Sequence, residues 1–263
     1  MSYPTGKGMF IRNWSVTGSP AQAVAQAKAA GLAWVSPLYA WYSKGNPGPR
    51  NVKDGPRYAE AFIEAGIELW PWVYPVPGTE TETQQAISRM VADGANGVIL
   101  DPEHEYKKKP TAAAQLMTAA RAAAGGLPIG VSSYGYAKYH PTFPYKAFNS
   151  ADFGVPQVYD LKDNQGSDYQ KKGVQSWRDA GFKFVIPALT TASSSYSEVL
   201  KEYNQAPIDD GGVVWWDWQV TNKSEWSAIE SIDLKPRSPA GVAIAGFALV
   251  AVAGLALFLI KKR

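Results

Sequence analysis

Short apolar runs alternate along this chain with longer segments whose apolar positions recur every three to four residues. The runs at 9–14, 34–39, 68–74, 97–101, 129–133, 154–159, 184–189 and 213–218 have the length and composition of strands. Between them, 21–30, 58–65, 81–93, 111–124, 169–180 and 196–204 read as amphipathic helices. A weaker helix is predicted at 145–150 and a last one at 224–232. Helix ends carry stop glycines, and Gly31, Gly66 and Gly181 each precede the next strand by one to three residues. Eight strands, each followed by a helix, within residues 8–232 predict an α/β fold, the (β/α)8 TIM barrel. The alternative, an open doubly wound sheet, usually has a glycine-rich phosphate loop after its first strand. Here that position reads IRNWSVTGSP, and the GKG at 6–8 precedes the strand instead.

The pattern changes at the end of the chain. Residues 238–260 are uncharged, SPAGVAIAGFALVAVAGLALFLI, and as a helix are long enough to cross a hydrocarbon core of roughly 30 Å. A buried core helix of this length would show a polar edge. The expected division is therefore a barrel at 1–234, a basic linker at 235–237, a transmembrane helix at 238–260 and a basic tail at 261–263. Gly241, Ala245, Gly246 and Gly254 would let two such helices approach closely, so self-association in the lipid bilayer is a possible partnership. Lys261–Arg263 favour a cytoplasmic C-terminus, against Lys235 and Arg237 on the other flank. The start, MSYPTGKGMF, has no hydrophobic signal region. The expected location is a membrane with a single-pass C-terminal anchor, inserted from the cytosol or built into a virion or host cell membrane.

Charge looks different once the tail is set aside. The 263 residues carry a formal +3, but five of the 26 basic residues lie in the last 29, where no acid occurs. Without them, 21 basic residues face 23 acidic ones. No basic patch marks the body, and no nucleic-acid partner is predicted. With no Cys there is no disulfide framework or thiol nucleophile. Only two His are present, and His104, between Glu103 and Glu105, has no evident third ligand. Neither a metal nor a cofactor is therefore expected. Ten Trp and fourteen Tyr are the unusual part of the composition.

In a barrel of this kind, chemistry sits at the C-terminal ends of the strands. The fourth predicted strand ends Asn96-Gly97-Val98-Ile99-Leu100-Asp101-Pro102-Glu103. In extended chain, Asp101 and Glu103 point the same way. Two carboxylates so close repel, which raises a pKa and leaves one acid protonated near neutral pH. That suits protonation of a glycosidic oxygen. The alternative is that they cap the next helix or pair with Lys107–Lys109. The sixth strand ends Gln157-Val158-Tyr159-Asp160 and the eighth Trp215-Trp216-Asp217-Trp218-Gln219, while Trp14, Trp41, Trp72, Tyr74, Tyr134 and Tyr136 lie at other strand ends. Aromatic faces stack on sugar rings, and Asp, Gln and Tyr supply directed hydrogen bonds. Trp216 and Trp218 share a face, with Trp215, Asp217 and Gln219 on the other, so only one set can face the mouth. The lysine run 107–109 reads as an exposed loop before Pro110, or else as a contact for an anionic glycan or phospholipid. Ser193–Ser195 has no His or Asp in a nucleophile setting.

The stretch 96–103 resembles the strand-four signature of family 18 glycoside hydrolases, chitinases and endo-N-acetylglucosaminidases, D-G-x-D-x-D-x-E. Gly97, Asp101 and Glu103 match, while Asn96 and Ile99 replace the first and second Asp. Gln157-Val158-Tyr159-Asp160 resembles that family's strand-six motif, and the Trp-rich strand eight its final strand. The D-x-E and the last strand are also similar to family 25 lysozymes, which carry an Asp on strand one where this chain has Arg12 and Asn13. The resemblance implies acetamido-assisted cleavage of a sugar bearing an N-acetyl group. Glu103 would protonate the leaving oxygen, Asp101 orient the acetamide, Tyr159 hydrogen-bond its carbonyl, and Asp160 hold the sugar or the tyrosine. Trp72, Tyr74, Tyr134, Gln157, Trp216, Asp217 and Trp218 are the expected substrate contacts. The function expected is a membrane-anchored glycoside hydrolase acting on an N-acetylhexosamine polymer, peptidoglycan foremost and chitin-like glycan second, as a cell-wall lytic protein of a phage or virion. A catalytically inactive glycan-binding or structural barrel is the alternative. An aldolase or phosphate-handling isomerase is disfavoured, because strand six ends without a Lys and Gly211-Gly212 precede strand eight.

Overall fold

A computed structural model describes residues 3–43, 48–50, 53–160, 168–192 and 194–236. Its parallel staves are β1 (Gly6–Ile11), β2 (Leu32–Trp41), β4 and β5 (Glu68–Leu69 and Trp72–Tyr74), β6 (Val98–Leu100), β7 (Ile129–Tyr134), β8 (Phe153–Gln157), β9 (Ala188–Thr190) and β10 (Gly212–Trp216). Each pairs with the next, and β1 pairs with both β2 and β10, which closes the sheet into a barrel. A two-residue β3 (Gly48–Pro49) adds antiparallel to β2. The third stave is interrupted at Pro71, which has no N–H to donate, yet its carbonyl still receives Ile99 N at 2.8 Å. Among the described residues, eight α-helices cover the outside: α1 (Pro20–Ala29), α2 (Gly55–Glu64), α3 (Glu80–Ala92), α4 (Pro110–Ala123), α5 (Tyr145–Phe148), α6 (Tyr169–Asp179), α7 (Tyr196–Gln205) and α8 (Lys223–Ser231). This is the predicted (β/α)8 order.

Local chemistry sets the ends of these elements. Ser19 with Gln22, Ser195 with Glu198 and Asn222 with Glu225 form reciprocal capping boxes at the starts of α1, α7 and α8. Gly31 and Gly66 leave α1 and α2 at φ of 64° and 75°, a conformation glycine adopts without steric cost.

The barrel interior is filled by rings and branched side chains, among them Phe10, Trp34, Trp72, Ile99, Phe153 and Val214. Rings this large fit because neighbouring staves offer glycine. A Cβ on Gly97 would stand 2.2 Å from the Trp70 ring and 2.7 Å from the Pro128 carbonyl oxygen. Gly97→Ala should therefore destabilise the protein by about 1–3 kcal/mol through overpacking, read as a lower denaturant midpoint.

Two predicted strand ends shift. The first strand stops at Ile11, and Trp14 opens a short 3-10 turn, buried and stacked on Tyr58 at 4.7 Å. The last stops at Trp216, so alternation does not run on to Trp218. Below the barrel, buried Lys7 donates to the carbonyls of Ile229 and Ile232 at 2.8 and 2.7 Å, tying the end of α8 to β1. The chain then runs to Pro236 beside Gly6, at the face opposite the strand C-termini. The expected span 238–260 and tail 261–263 lie outside the described residues. Among the described residues, no helix is long and apolar enough to cross a membrane.

Candidate active site

Asp101 follows β6 directly, and its N–H donates to Val73 O at 2.9 Å, extending the ladder by one residue. The next carbonyl, that of Pro102, receives the Ser133 hydroxyl at 2.7 Å, which holds the turn into Glu103. Opposite stands Gln157, the last residue of β8, in register with Tyr134. Its side-chain amide donates to Asp101 Oδ1 at 2.9 Å and to Glu103 Oε1 at 3.1 Å, with Ser132 Oγ at 3.3 Å. One amide thus bridges both carboxylates, so the two acids lie on one side of the mouth although the strand ends at Leu100 and Glu103 stands on the turn beyond it.

The electrostatics follow from burial. Asp101 is 5% exposed, and burial, then the Glu103 charge, pushes its carboxyl well above the usual carboxylate range. Hydrogen bonds from Ser132 and Gln157 oppose that rise. Glu103 is also raised, first by burial, with Gln157, His104 and Lys107 opposing. Two coupled acids of this kind retain a proton between them above the pH at which a free carboxyl ionises. Ile99, where the family 18 signature carries an Asp, lies in the apolar barrel interior and is fully buried. Asp101 therefore looks to Ser132 and Gln157 for polar partners.

Tyrosines surround the pair. Tyr159 is raised well above its ordinary value by burial and then by Asp101, Glu103, Asp217 and Glu202. Tyr134 is pushed up to about 12 by burial and then Glu103. Tyr74 donates its hydroxyl to Glu105 Oε2 at 3.0 Å. All three stay protonated and so remain donors at neutral pH. Tyr74 is itself buried beneath Trp41, with which it stacks at 4.7 Å. Trp41 and Trp216 are half-buried, and Trp72, wholly buried, meets both edge-on at 6.0 and 5.5 Å.

Some expected substrate contacts are placed elsewhere. Trp218 is 7% exposed and packs against Trp226 at 4.8 Å in the layer between barrel and helices, because strand alternation ends two residues earlier. Trp72 forms the floor under Trp41 and Trp216 and offers no open face. Asp217 is fully buried, and its carboxylate is taken by Arg12 through Nε and, at 3.3 Å, through Nη2. The Arg12 guanidinium also lies 5.4 Å from the centre of the Trp216 ring. Asp160 is half-buried, and its backbone N–H donates to Glu202.

Glu202 is a residue the sequence reading missed. From α7 it accepts the N–H of Asp160 at 3.0 Å and of Thr190 at 3.1 Å, joining the loop after β8 to the end of β9. Its signal was weak: a Glu three residues after buried Val199, hence on the inner face of α7. Burial pushes its carboxyl up to about 7, against those two backbone bonds. The folded state therefore holds a proton that the unfolded chain releases near 4. The associated stability is fully present below about pH 4 and lost as pH rises through about 7. Urea unfolding should show wild type losing stability from pH 5 to 8, and Glu202→Gln should reduce that loss by about 2–3 kcal/mol.

Exposed His104 has Nδ1 3.3 Å from Glu105 Oε2. Among the described residues no group of three or more His, Cys, Asp or Glu is arranged to hold a metal ion.

No protein-family model matches the chain, and no curated protein matches it in sequence. Solved structures do match. A chitinase from Chromobacterium violaceum superposes with a TM-score of 0.62 at 12% identity, over 86% of this chain and 98% of its own. The Bacillus cereus spore cortex-lytic enzyme SleL gives 0.65 at 9% identity, over 89% and 76%. A xylanase and α-amylase inhibitor protein, XAIP-I, solved with trehalose, gives 0.61 at 12% identity, over 87% and 98%. The chain folds as a TIM barrel. At these identities the likeness carries the fold alone, and that fold serves hydrolases and an inhibitor alike.

Proposed function

We propose that the protein is a glycoside hydrolase of family 18 type, cleaving an N-acetylhexosamine polymer, with peptidoglycan preferred and chitin second. The observation that carries this reading is the pair Asp101 and Glu103, bridged by one Gln157 amide at the barrel mouth and both raised by burial. The chitinase and cortex-lytic likenesses agree with it.

Glu103, less buried than Asp101, donates its proton to the leaving glycosidic oxygen as the C1–O bond breaks. Asp101 turns the substrate acetamide so that its carbonyl oxygen forms a bond to C1, in place of an enzyme nucleophile. The Tyr159 hydroxyl donates to that oxygen, and Asp160 supports the sugar. Water, deprotonated by Glu103, then opens the cyclic intermediate and restores the acetamide. Trp41 and Trp216 supply the ring faces for neighbouring sugars, with Tyr134 and Gln157 directing hydrogen bonds.

The anchor belongs to the same proposal. Residues 238–260 would hold the chain in a bilayer, a virion or host cell membrane, and could pair through Gly241, Ala245 and Gly246. The described chain leaves the barrel at Pro236 on the face away from the mouth, so an anchored molecule would turn its cleft from the lipid toward a wall. A phage or virion-associated role in opening that wall fits this placement.

A second reading, a glycan-binding barrel without turnover, is favoured by Ile99, which leaves Asp101 no carboxylate beneath it, and by the likeness to XAIP-I. Turnover separates the two. The full chain in detergent should release reducing ends from purified peptidoglycan or chitohexaose. Binding without release would leave the second reading standing.

A further inference from the structure

The reaction above makes no use of the loop that follows Glu103, although it is built with unusual constraint. Its three consecutive lysines, Lys107–Lys109, would in a solvated loop spread apart on a relaxed backbone. Here buried Tyr106 roots the segment. Lys107 N donates to His104 O at 3.2 Å, Lys108 N to Thr142 O at 2.7 Å and Lys109 N to Tyr106 O at 2.9 Å. Lys108 has φ of 60°, the one non-glycine residue with positive φ among those described, a conformation that costs of order 1–3 kcal/mol.

Two of the three lysines, Lys107 and Lys109, border the cleft, and Lys108 lies exposed between them. Lys107 Nζ lies 4.7 Å from the centre of the Tyr134 ring, and Tyr134 is in register with the Gln157 that bridges the acids. Lys107 is close enough to Glu103 to draw its carboxyl down. Lys109, His104 and Glu105 border an open cavity of ≈ 700 Å³ lined also by Tyr42, Val76 and Pro77, which follow β2 and β5. Among the described residues none of the three ammonium groups is in an ion pair. Glu105, the nearest acid in sequence, is engaged by the Tyr74 hydroxyl and by His104. Three consecutive like charges beside a sugar cleft, none of them in an ion pair, create a field that favours an anionic ligand. Of the two candidate polymers, chitin is neutral, whereas peptidoglycan bears carboxylates on the peptides attached to its lactyl groups.

We propose that Lys107–Lys109 form a carboxylate-binding subsite beside the cleft, selecting an acidic N-acetylated glycan over a neutral one. This rests on the glycan reading above, and it goes beyond it by assigning the residues that choose between the two polymers.

The test uses the full chain in detergent, with binding and turnover measured separately. Binding is read by co-sedimentation with insoluble peptidoglycan stripped of phosphate polymers, with the same peptidoglycan after its carboxylates are amidated, and with chitin. Wild type should prefer native peptidoglycan, with a preference that weakens as salt is raised. The K107Q/K108Q/K109Q variant should lower the peptidoglycan-to-chitin affinity ratio about tenfold, about one unit of log Kd. K107R/K108R/K109R should retain the ratio, and amidated peptidoglycan should bind wild type as weakly as native peptidoglycan binds the glutamine variant. An unchanged ratio, or equal loss on both polymers in a variant with wild-type melting temperature, overturns the subsite. So does a glutamine variant that loses only its adhesion to anionic vesicles, which would assign the loop to lipid. Absence of turnover in wild type with the binding pattern intact would instead overturn the hydrolase reading and spare the subsite.

Discussion

Glu103→Gln should leave the barrel folded and the glycan bound while lowering turnover by about three orders of magnitude, within the range ascribed to general acid catalysis. The glutamine keeps a carbonyl oxygen in place of Oε1, so the Gln157 bridge, now 3.1 Å to Glu103 and 2.9 Å to Asp101, can persist. What disappears is the transferable proton. The charge that pushes Asp101 up also disappears, while burial still holds that carboxyl above its ordinary range. Relief of repulsion should leave the melting temperature unchanged or slightly raised. For wild type, activity should fall on the alkaline side as the coupled pair loses its last proton, at a pH above the ordinary carboxylate range. Initial rates of reducing-end release, taken with binding of the same glycan, check each part. A variant within tenfold of wild-type kcat would remove Glu103 from the role of acid.

Arg12→Ala should be the most destabilising single truncation at the mouth, costing about 2–3 kcal/mol, below the 3–5 kcal/mol of a wholly buried pair. The discount reflects geometry: Asp217 is 0% exposed, whereas Arg12 is 39% exposed and screened by solvent. Truncation leaves the Asp217 carboxylate with only the backbone N–H groups of Gln219 and Val220. Burial already raises Asp217 despite Arg12, so without the guanidinium it should take up a proton more readily, and the deficit should shrink as pH falls. Asp217→Asn should cost less, since it leaves the half-exposed Arg12 to water. A loss of 2–3 kcal/mol corresponds to a melting-temperature drop of about 4–12 °C for a domain of this size. Arg12 also lies over Trp216, so KM should rise more than kcat falls.

The staves and helices were legible because each rests on local information. A buried strand is an apolar run, a surface helix has a 3.6-residue period, and stop glycines and capping boxes sit at fixed offsets. Asp101 and Glu103 were legible as acids at the end of the fourth strand, but that strand stops at Leu100, so the turn held by Ser133 and the Gln157 bridge bring them together. Gln157 and Tyr159 could be assigned to the mouth from their position at the end of the sixth stave. Trp218 was misplaced because alternation was extended past Trp216, where the strand ends. Trp72 and Tyr74 have the right strand position, but their depth depends on Trp41 and Trp216 lying over them.

By itself, the sequence determined the order of eight strand–helix units, the pairing of two acids after the fourth strand, and the uncharged stretch at 238–260. Those features depend on neighbours within a few residues, which is the range over which periodicity and composition act. The tertiary structure alone decided that Gln157 bridges acids 54 and 56 residues away, and that Arg12 claims Asp217 across 205 residues. It also placed Glu202 between the ends of β8 and β9, and fixed Lys107 over Tyr134. Barrel closure brings the first and last strands side by side, and no local pattern records which side chains then meet across the mouth.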